Sequence, residues 1–105
     1  GKLRKVINIT TNLSSIAENT DGGFYGYRES KAALNMFTKT LAVELGPDGF
    51  ICIVLHPGWV QTDLGGPNAP LTVQESVRGM RGVIKNLSPS DNGSFWTHAG
   101  KQMAW

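Results

Sequence analysis

Residues 50–55 read Phe-Ile-Cys-Ile-Val-Leu, and this continuous apolar run decides the fold class. A strand that is apolar at every position is buried on both faces, which is typical of the centre of a parallel sheet covered by helices. His56-Pro57-Gly58 follows directly and ends the strand, because proline and glycine favour a turn. The run therefore predicts a central parallel strand.

The segment before this strand predicts a long helix over Tyr25–Leu45. It is rich in Ala, Leu, Met, Lys and Glu, which are good helix formers. The sequence Gly-Pro-Asp-Gly at residues 46–49 ends it in the way that a C-terminal glycine and a following proline usually do. Its apolar positions cover more than one stripe, so we expect one face to pack on the sheet and another on a different partner.

Shorter segments on either side complete an α/β order. Residues 5–10 predict a buried strand, and residues 11–24 a long polar loop. Thr72 and Glu75 form a capping box that begins a second helix reaching about Leu87, and residues 94–97 predict a last short strand. This order predicts a parallel sheet in a three-layer α/β/α arrangement. Three strands with an exposed apolar first edge make an incomplete sheet, which indicates part of a larger domain.

Composition argues against several classes of function. Ten Lys and Arg against eight Asp and Glu give a net charge of +2 without a basic stripe, so nucleic-acid binding is not expected. No apolar stretch is long enough to span a membrane. The single cysteine, Cys52, is interpreted as a buried free thiol, and His56 and His98 lack ligand spacing, so no metal site is expected. This cysteine usage fits a reducing, cytoplasmic compartment.

Tyr27 and Lys31 stand four residues apart near the start of the predicted helix, so their side chains project from one face. The reference pKa of a tyrosine is about 10, and an ammonium group one turn away favours the phenolate form. Such a pair can transfer a proton to a carbonyl oxygen. The spacing alone also fits an ordinary pair on a helix surface, and the surrounding sequence decides between the two interpretations.

Three segments resemble motifs of the short-chain dehydrogenase/reductase family and occur in the family's order. Residues 27–35, Tyr-Arg-Glu-Ser-Lys-Ala-Ala-Leu-Asn, resemble its Tyr-x-x-x-Lys helix. Residues 6–11, Val-Ile-Asn-Ile-Thr-Thr, resemble the strand that leads into its catalytic serine. Residues 56–63, His-Pro-Gly-Trp-Val-Gln-Thr-Asp, resemble the segment that closes over the nicotinamide. Together with Gly-Gly-Pro-Asn-Ala at residues 65–69, they are most similar to the C-factor and sniffer-like carbonyl reductase branch.

The resemblance implies a role for each matching residue. Tyr27 is expected to be the general acid, and Lys31 to stabilise its phenolate and bind the nicotinamide ribose. The family's cofactor-binding positions fall on Pro57, Gly58, Val60 and Thr62. The implied reaction is reduction of a small-molecule carbonyl to an alcohol, with NADP(H) favoured as cofactor and NAD(H) possible.

The resemblance also implies what this chain lacks. No glycine-rich turn between a strand and a helix is present, and such a turn would cradle the cofactor phosphates. We therefore interpret residues 1–105 as the C-terminal half of a Rossmann-type doubly wound parallel sheet, without its dinucleotide-binding half and inactive alone. The family pattern implies a homodimer through the Tyr25–Leu45 helix, and a truncated, non-catalytic interaction fragment is the alternative.

The catalytic hydroxyl has more than one candidate. The family places a serine second in the pair that follows the strand, and that position is Thr11 here. Counting back from Tyr27 favours Ser14, which stands 13 positions before it, whereas Thr11 stands 16 before it. We prefer Thr11 because the strand anchors it, and interpret Ser14 and Ser15 as loop hydroxyls that bond to the backbone.

Overall fold

A computed structural model describes residues 4–61 and 66–105 of the chain. Its helices and strands in chain order are β1 (Arg4–Ile9), α1 (Tyr25–Leu45), β2 (Phe50–His56), α2 (Val73–Asn86), β3 (Phe95–Thr97) and β4 (Gln102–Met103). The bounds of α1 are those that the sequence predicts. β1 begins and ends one residue earlier than predicted, and β3 begins one residue later.

The strands form one sheet in the order β1-β2-β3-β4. β1, β2 and β3 are parallel, as predicted, and β4 pairs antiparallel with β3. The sequence did not predict β4, because a two-residue strand has no hydrophobic period. Among the described residues β1 pairs with β2 alone, and Ile9 is 47% exposed, so β1 forms the expected open apolar edge.

One face of the sheet packs against α2 through apolar side chains. Alternate residues of β2 meet the inner side of the helix in a cluster of Ile51, Ile53, Leu55, Val83 and Leu87. The three β2 members have no exposed surface, and burying a side chain of this size contributes about 1.5–3 kcal/mol. Cys52, in the same strand, is a buried free thiol as predicted, and burial raises the pKa of that thiol.

The opposite face packs against α1, and its contacts include polar side chains of β1. Asn8 donates from Nδ2 to Thr38 Oγ1 at 2.9 Å. Just beyond the strand, Thr10 donates from Oγ1 to Asn35 Oδ1, also at 2.9 Å. Asn35 and Thr38 are buried. Helices therefore cover both faces, which confirms the three-layer α/β/α prediction.

The second helix begins as the sequence predicts. Thr72 Oγ1 accepts from the Glu75 backbone amide at 3.1 Å, and Glu75 Oε1 accepts from the Thr72 amide at 3.0 Å, which completes the capping box. In the part of the chain that the structure describes, neither this helix nor α1 has the length and apolarity needed to cross a bilayer.

Candidate active site

Helix α1 extends past the carboxyl end of β1, and this extension carries Tyr27 and Lys31. The bond between Asn35 and Thr10 lies one residue beyond the strand. Lys31 and Tyr27 continue the same helix face four and eight residues further on, which corresponds to about 6 and 12 Å of helix. Tyr27 is 46% exposed and Lys31 is half-buried. Both side chains therefore stand above the carboxyl edge of the sheet, the edge at which open α/β sheets bind ligands.

Arg28 fixes the start of this helix. α1 begins without a side-chain cap, at a left-handed Phe24 with φ of 51°. The Arg28 guanidinium donates to the carbonyl oxygens of Gly23, Gly22 and Leu13 at 2.9–3.2 Å. One side chain thus ties the glycine turn and the loop after β1 to the first turn of α1. This role of Arg28 was not predicted from the sequence. The feature that could have indicated it is an arginine, with five guanidinium donors, directly after a glycine-containing loop whose carbonyl groups need partners.

Thr11 begins the 3-10 turn Asn12–Ser14 directly after β1. Its Oγ1 accepts from the Leu13 amide at 3.3 Å and donates to Asn12 Oδ1, also at 3.3 Å. Both distances lie beyond the usual range for these donors, so we infer that the bonds are weak. The residue is 8% exposed. Its hydroxyl therefore has weaker local partners than the two serines that follow.

The hydroxyls of Ser14 and Ser15 make shorter hydrogen bonds than the hydroxyl of Thr11 does. Ser14 Oγ donates to the Thr11 carbonyl at 2.6 Å and accepts from Asn35 Nδ2 at 2.7 Å. Ser15 Oγ donates to the main-chain oxygen of Ala104 at 2.7 Å. Both serines are buried, with 3% and 1% exposure. This geometry agrees with interpreting them as hydroxyls that bond to the backbone and to a neighbouring side chain.

The turn after β2 is held from two sides. Gly58 has a φ of 87°, a backbone conformation that favours glycine, and a Cβ there would collide with Leu71 Cδ1 and the His98 ring. Ser76, near the start of α2, donates from Oγ to the Pro57 carbonyl at 2.6 Å. Local sterics and the positive φ therefore already require glycine at position 58. A ligand-binding role would be a second requirement.

The chain continues from this turn into a short pairing with a later segment. Val60 forms a parallel bridge with Leu71, and the Gln61 amide donates to the Leu71 carbonyl at 2.7 Å. The Gln61 side chain donates to the Ala69 carbonyl at 2.9 Å. Val60 is thereby fixed at the carboxyl edge of the sheet. Thr62, the remaining predicted cofactor-binding residue, lies outside the described residues.

Two histidines adjoin the turn. Within residues 4–61 and 66–105, the Nδ1 atoms of His56 and His98 are buried without a hydrogen-bond partner. The His98 amide donates to the His56 carbonyl at 2.9 Å, so the two residues are neighbours across β2 and the end of β3. Burial lowers the pKa of His56, and the charge of His98 lowers it further. Protonation of His56 is therefore disfavoured in the folded chain.

Comparison with known proteins identifies the family of this chain. The family model described as short chain dehydrogenase matches residues 4–70, more than half of the chain. The chain belongs to the short-chain dehydrogenase family. Its Tyr27, Lys31 and Thr11 all lie within the matched segment, as do Pro57, Gly58 and Val60.

Relatives of this short-chain dehydrogenase chain span bacteria and animals. It is 50% identical to C-signal of Myxococcus xanthus over 105 residues, which is 100% of the chain and 63% of that protein. The structure of carbonyl reductase Sniffer of D. melanogaster matches with a TM-score of 0.92 and 48% identity, over 96% of this chain and 41% of that one. An NADPH-bound carbonyl reductase from chicken fatty liver matches with a TM-score of 0.88 and 42% identity, over 98% of this chain and 45% of that one.

These comparisons confirm the predicted family, its carbonyl reductase branch and the fold class, a partial Rossmann-type sheet. The chain spans less than two thirds of C-signal and less than half of the two reductase structures.

Proposed function

We propose that the protein to which this chain contributes its catalytic segment reduces a small-molecule carbonyl compound to an alcohol with NADP(H). The observation that carries the proposal is the placement of Tyr27 and Lys31 on one helix face beyond the carboxyl end of β1, beside the turn that holds Thr11. A phenol, an ammonium group and a hydroxyl at one sheet edge form the donor set that carbonyl reduction needs.

Each of the three residues has a separate task in this proposal. Tyr27 donates its hydroxyl proton to the substrate oxygen as the carbonyl carbon becomes tetrahedral. Lys31 stabilises the resulting phenolate by its positive charge. The Thr11 hydroxyl donates to the substrate oxygen and fixes the direction of the carbonyl. The exposure of Tyr27, 46%, leaves its hydroxyl accessible for such a substrate.

The exposed surroundings of Tyr27 and Lys31 also fit one end of a dinucleotide. The lysine ammonium can bond to ribose hydroxyls, and Pro57, Gly58 and Val60 border the place for a nicotinamide. When bound, a reduced nicotinamide supplies the hydride. NADP(H) is preferred over NAD(H) because the chicken carbonyl reductase structure holds NADPH. Thr62 completes this proposed set.

The phosphate-binding part of such a cofactor site needs a glycine-rich turn at the start of a helix, and residues 1–105 contain none. We infer that the cofactor phosphates bind to a preceding dinucleotide-binding half and that residues 1–105 alone do not turn over substrate. Activity must therefore be tested on the full-length protein. We also propose a cytoplasmic location for that protein.

Tyr27→Phe in the full-length protein tests the proposal, because it removes the proton donor and almost no volume. We expect carbonyl-dependent NADPH oxidation to fall by about 10²–10⁴-fold, the usual contribution of a positioned acid, with NADPH affinity nearly unchanged. Tyr25→Phe is the matched control. Tyr25 lies on the same helix and is 78% exposed, so this variant should keep wild-type turnover. Retention of more than a tenth of the activity in Tyr27→Phe would contradict the assignment.

A second proposed function of the same helix is dimerisation. Met36, Phe37 and Val43 lie on the side of α1 turned away from the sheet, and they are 60–68% exposed. An exposed apolar strip of this kind is typical of a protein interface. We propose a homodimer through α1, a role that an inactive fragment could also perform.

Phe37→Glu in the full-length protein should convert that dimer to a monomer in sedimentation velocity runs, because it places a charge in the apolar strip. Glu44→Gln, a change of an exposed side chain on the same helix, is the control and should leave the dimer intact. A wild-type protein that sediments as a monomer at every concentration would refute the dimer.

A further inference from the structure

The segment after β4 folds back onto the loop after β1. The amides of Ile16 and Ala17 donate to the main-chain oxygen of Trp105 at 2.8 and 3.4 Å. Ser15 Oγ donates to the main-chain oxygen of Ala104 at 2.7 Å. These bonds connect the segment after β4 to the loop after β1, although β2 and β3 separate the two strands in the sheet.

The ring of Trp105 anchors this segment to the sheet. Its centroid lies 5.7 Å from that of Phe95, with a tilt of 54° between the rings. Phe95 is fully buried and pairs with Val54, so it occupies the α1 face of the sheet. Aromatic pairs at this distance and tilt are favourable beyond the area they bury. The packing of the ring thereby fixes the main-chain oxygen of Trp105 where it accepts from the amides of Ile16 and Ala17.

At Ile16 the loop is held through the backbone. The Ile16 side chain is 79% exposed, so the residue is fixed through its amide. The preceding 3-10 turn is continuous with it, because the Ser15 amide donates to the Asn12 carbonyl and the Ser14 amide to the Thr11 carbonyl, both at 3.1 Å. Restraint at Ser15 and Ile16 therefore passes through a single turn to Thr11.

We propose that Trp105 is a positioning residue of the active site: its ring, packed on Phe95, holds the loop after β1 so that the Thr11 hydroxyl keeps its direction towards the substrate. This inference rests on the proposed function of Thr11. Trp105 acts through the loop and contacts no reacting atom. It was not among the residues that the sequence motifs indicated, because its main-chain oxygen bonds to Ser15, Ile16 and Ala17, far away along the chain.

The test uses Trp105→Ala and Trp105→Phe in the full-length protein. In Trp105→Ala we expect kcat to fall by about tenfold to a hundredfold, the effect of a small misplacement of a catalytic group, with NADPH affinity unchanged. Amide hydrogen exchange at Ile16 and Ala17 should accelerate in the same variant. Trp105→Phe retains an aromatic partner for Phe95 and should recover most of both properties.

Trp96→Ala is the matched control. Trp96 neighbours Phe95 in sequence but packs against the α2 cluster on the opposite face. It should lower thermal stability without accelerating exchange at Ile16 and Ala17. If Trp105→Ala does not fold, Ser15→Ala takes its place, since it removes the hydroxyl bond to Ala104 and leaves both aromatic rings. Ser15→Ala should then show the same two changes in smaller size.

The outcomes separate this inference from the proposed function. Faster exchange at Ile16 and Ala17 with unchanged kcat, while Thr11→Ala is impaired, would overturn the positioning role and leave the proposed function intact. Unchanged exchange would overturn the anchoring by Trp105. A full-length wild-type protein that reduces no carbonyl substrate would refute the proposed function itself, whatever the exchange data show.

Discussion

The two faces of the sheet differ in how their helices are attached. The α2 face is an apolar cluster, with β2 side chains packed against one stripe of the helix. On the α1 face, polar side chains are joined by hydrogen bonds, as half-buried Asn8 is to Thr38 and buried Thr10 is to Asn35. Apolar contacts have no direction, whereas each hydrogen bond fixes a distance and an angle. The difference indicates that α2 contributes mainly stability and that α1 is held in an exact register.

That register is what the candidate site requires. A shift of α1 by one turn would move Tyr27 by about 5.4 Å relative to the end of β1. It would also leave the buried amide of Asn35 without its partners Thr10 and Ser14, and an unsatisfied buried polar group costs about 1–3 kcal/mol. The polar face therefore selects one position for the helix that carries Tyr27 and Lys31.

The largest effect on stability is expected on the apolar face. Ile53→Ala removes a fully buried side chain from the centre of the α2 cluster. We expect the full-length protein to lose about 2–5 kcal/mol of unfolding free energy, through lost burial and a residual cavity. Ile16→Ala, at a side chain that is 79% exposed, should stay within about 0.5 kcal/mol of wild type.

Chemical denaturation of both variants measures this difference. Turnover per folded molecule should remain close to wild type in Ile53→Ala, because α1 keeps its polar pairings. If Ile53→Ala kept wild-type stability but lost turnover, the proposal that the α2 face contributes mainly stability would be wrong.

The next effect concerns catalysis at the end of the polar face. Thr11→Ala in the full-length protein should lower turnover by about 10²–10³-fold, since it removes one hydroxyl donor from the reacting oxygen. Thr11→Ser keeps the donor and should recover most of the rate. Ser14→Ala is the comparison, because its hydroxyl is already bonded to the Thr11 carbonyl and to Asn35. It should cost stability and lower turnover less than Thr11→Ala does, because the donor to the reacting oxygen remains. A large kinetic loss in Ser14→Ala alone would reverse the assignment.

Much of the apolar architecture could be predicted from the sequence. The bounds of α1 follow from its composition and from the Gly-Pro pair that ends it, and β2 follows from an unbroken apolar run. The common helix face of Tyr27 and Lys31 could be predicted because both belong to one helix, where spacing fixes the face. β4 could not, since two residues contain no periodicity.

The polar pairings were beyond the sequence for a different reason. Asn35 and Thr10 are ordinary polar residues 25 positions apart, and only the register of α1 on β1 brings them together. The same holds for Arg28, whose three carbonyl partners lie in the connection between β1 and α1, 5 to 15 positions before it. Long-range polar contacts depend on the finished packing, whereas strands and helices are encoded locally.

The smallest effect is expected at the end of β2, where His56 precedes the Pro57-Gly58 turn. Burial and the neighbouring His98 lower the pKa of His56 from 6.5 in the folded chain. Below that value the unfolded chain binds a proton that the folded chain resists, so stability falls as the pH drops through 6.5 towards the lowered pKa. Thermal melts of the full-length protein between about pH 7.5 and 5.5 should show this loss. His56→Gln should reduce the pH dependence. His98→Gln should reduce it less, because burial of His56 remains its larger cause. If His56→Gln leaves the pH dependence of the melting temperature unchanged, another group titrates in this range. Protonation of His56 would then make no contribution to the loss of stability at low pH.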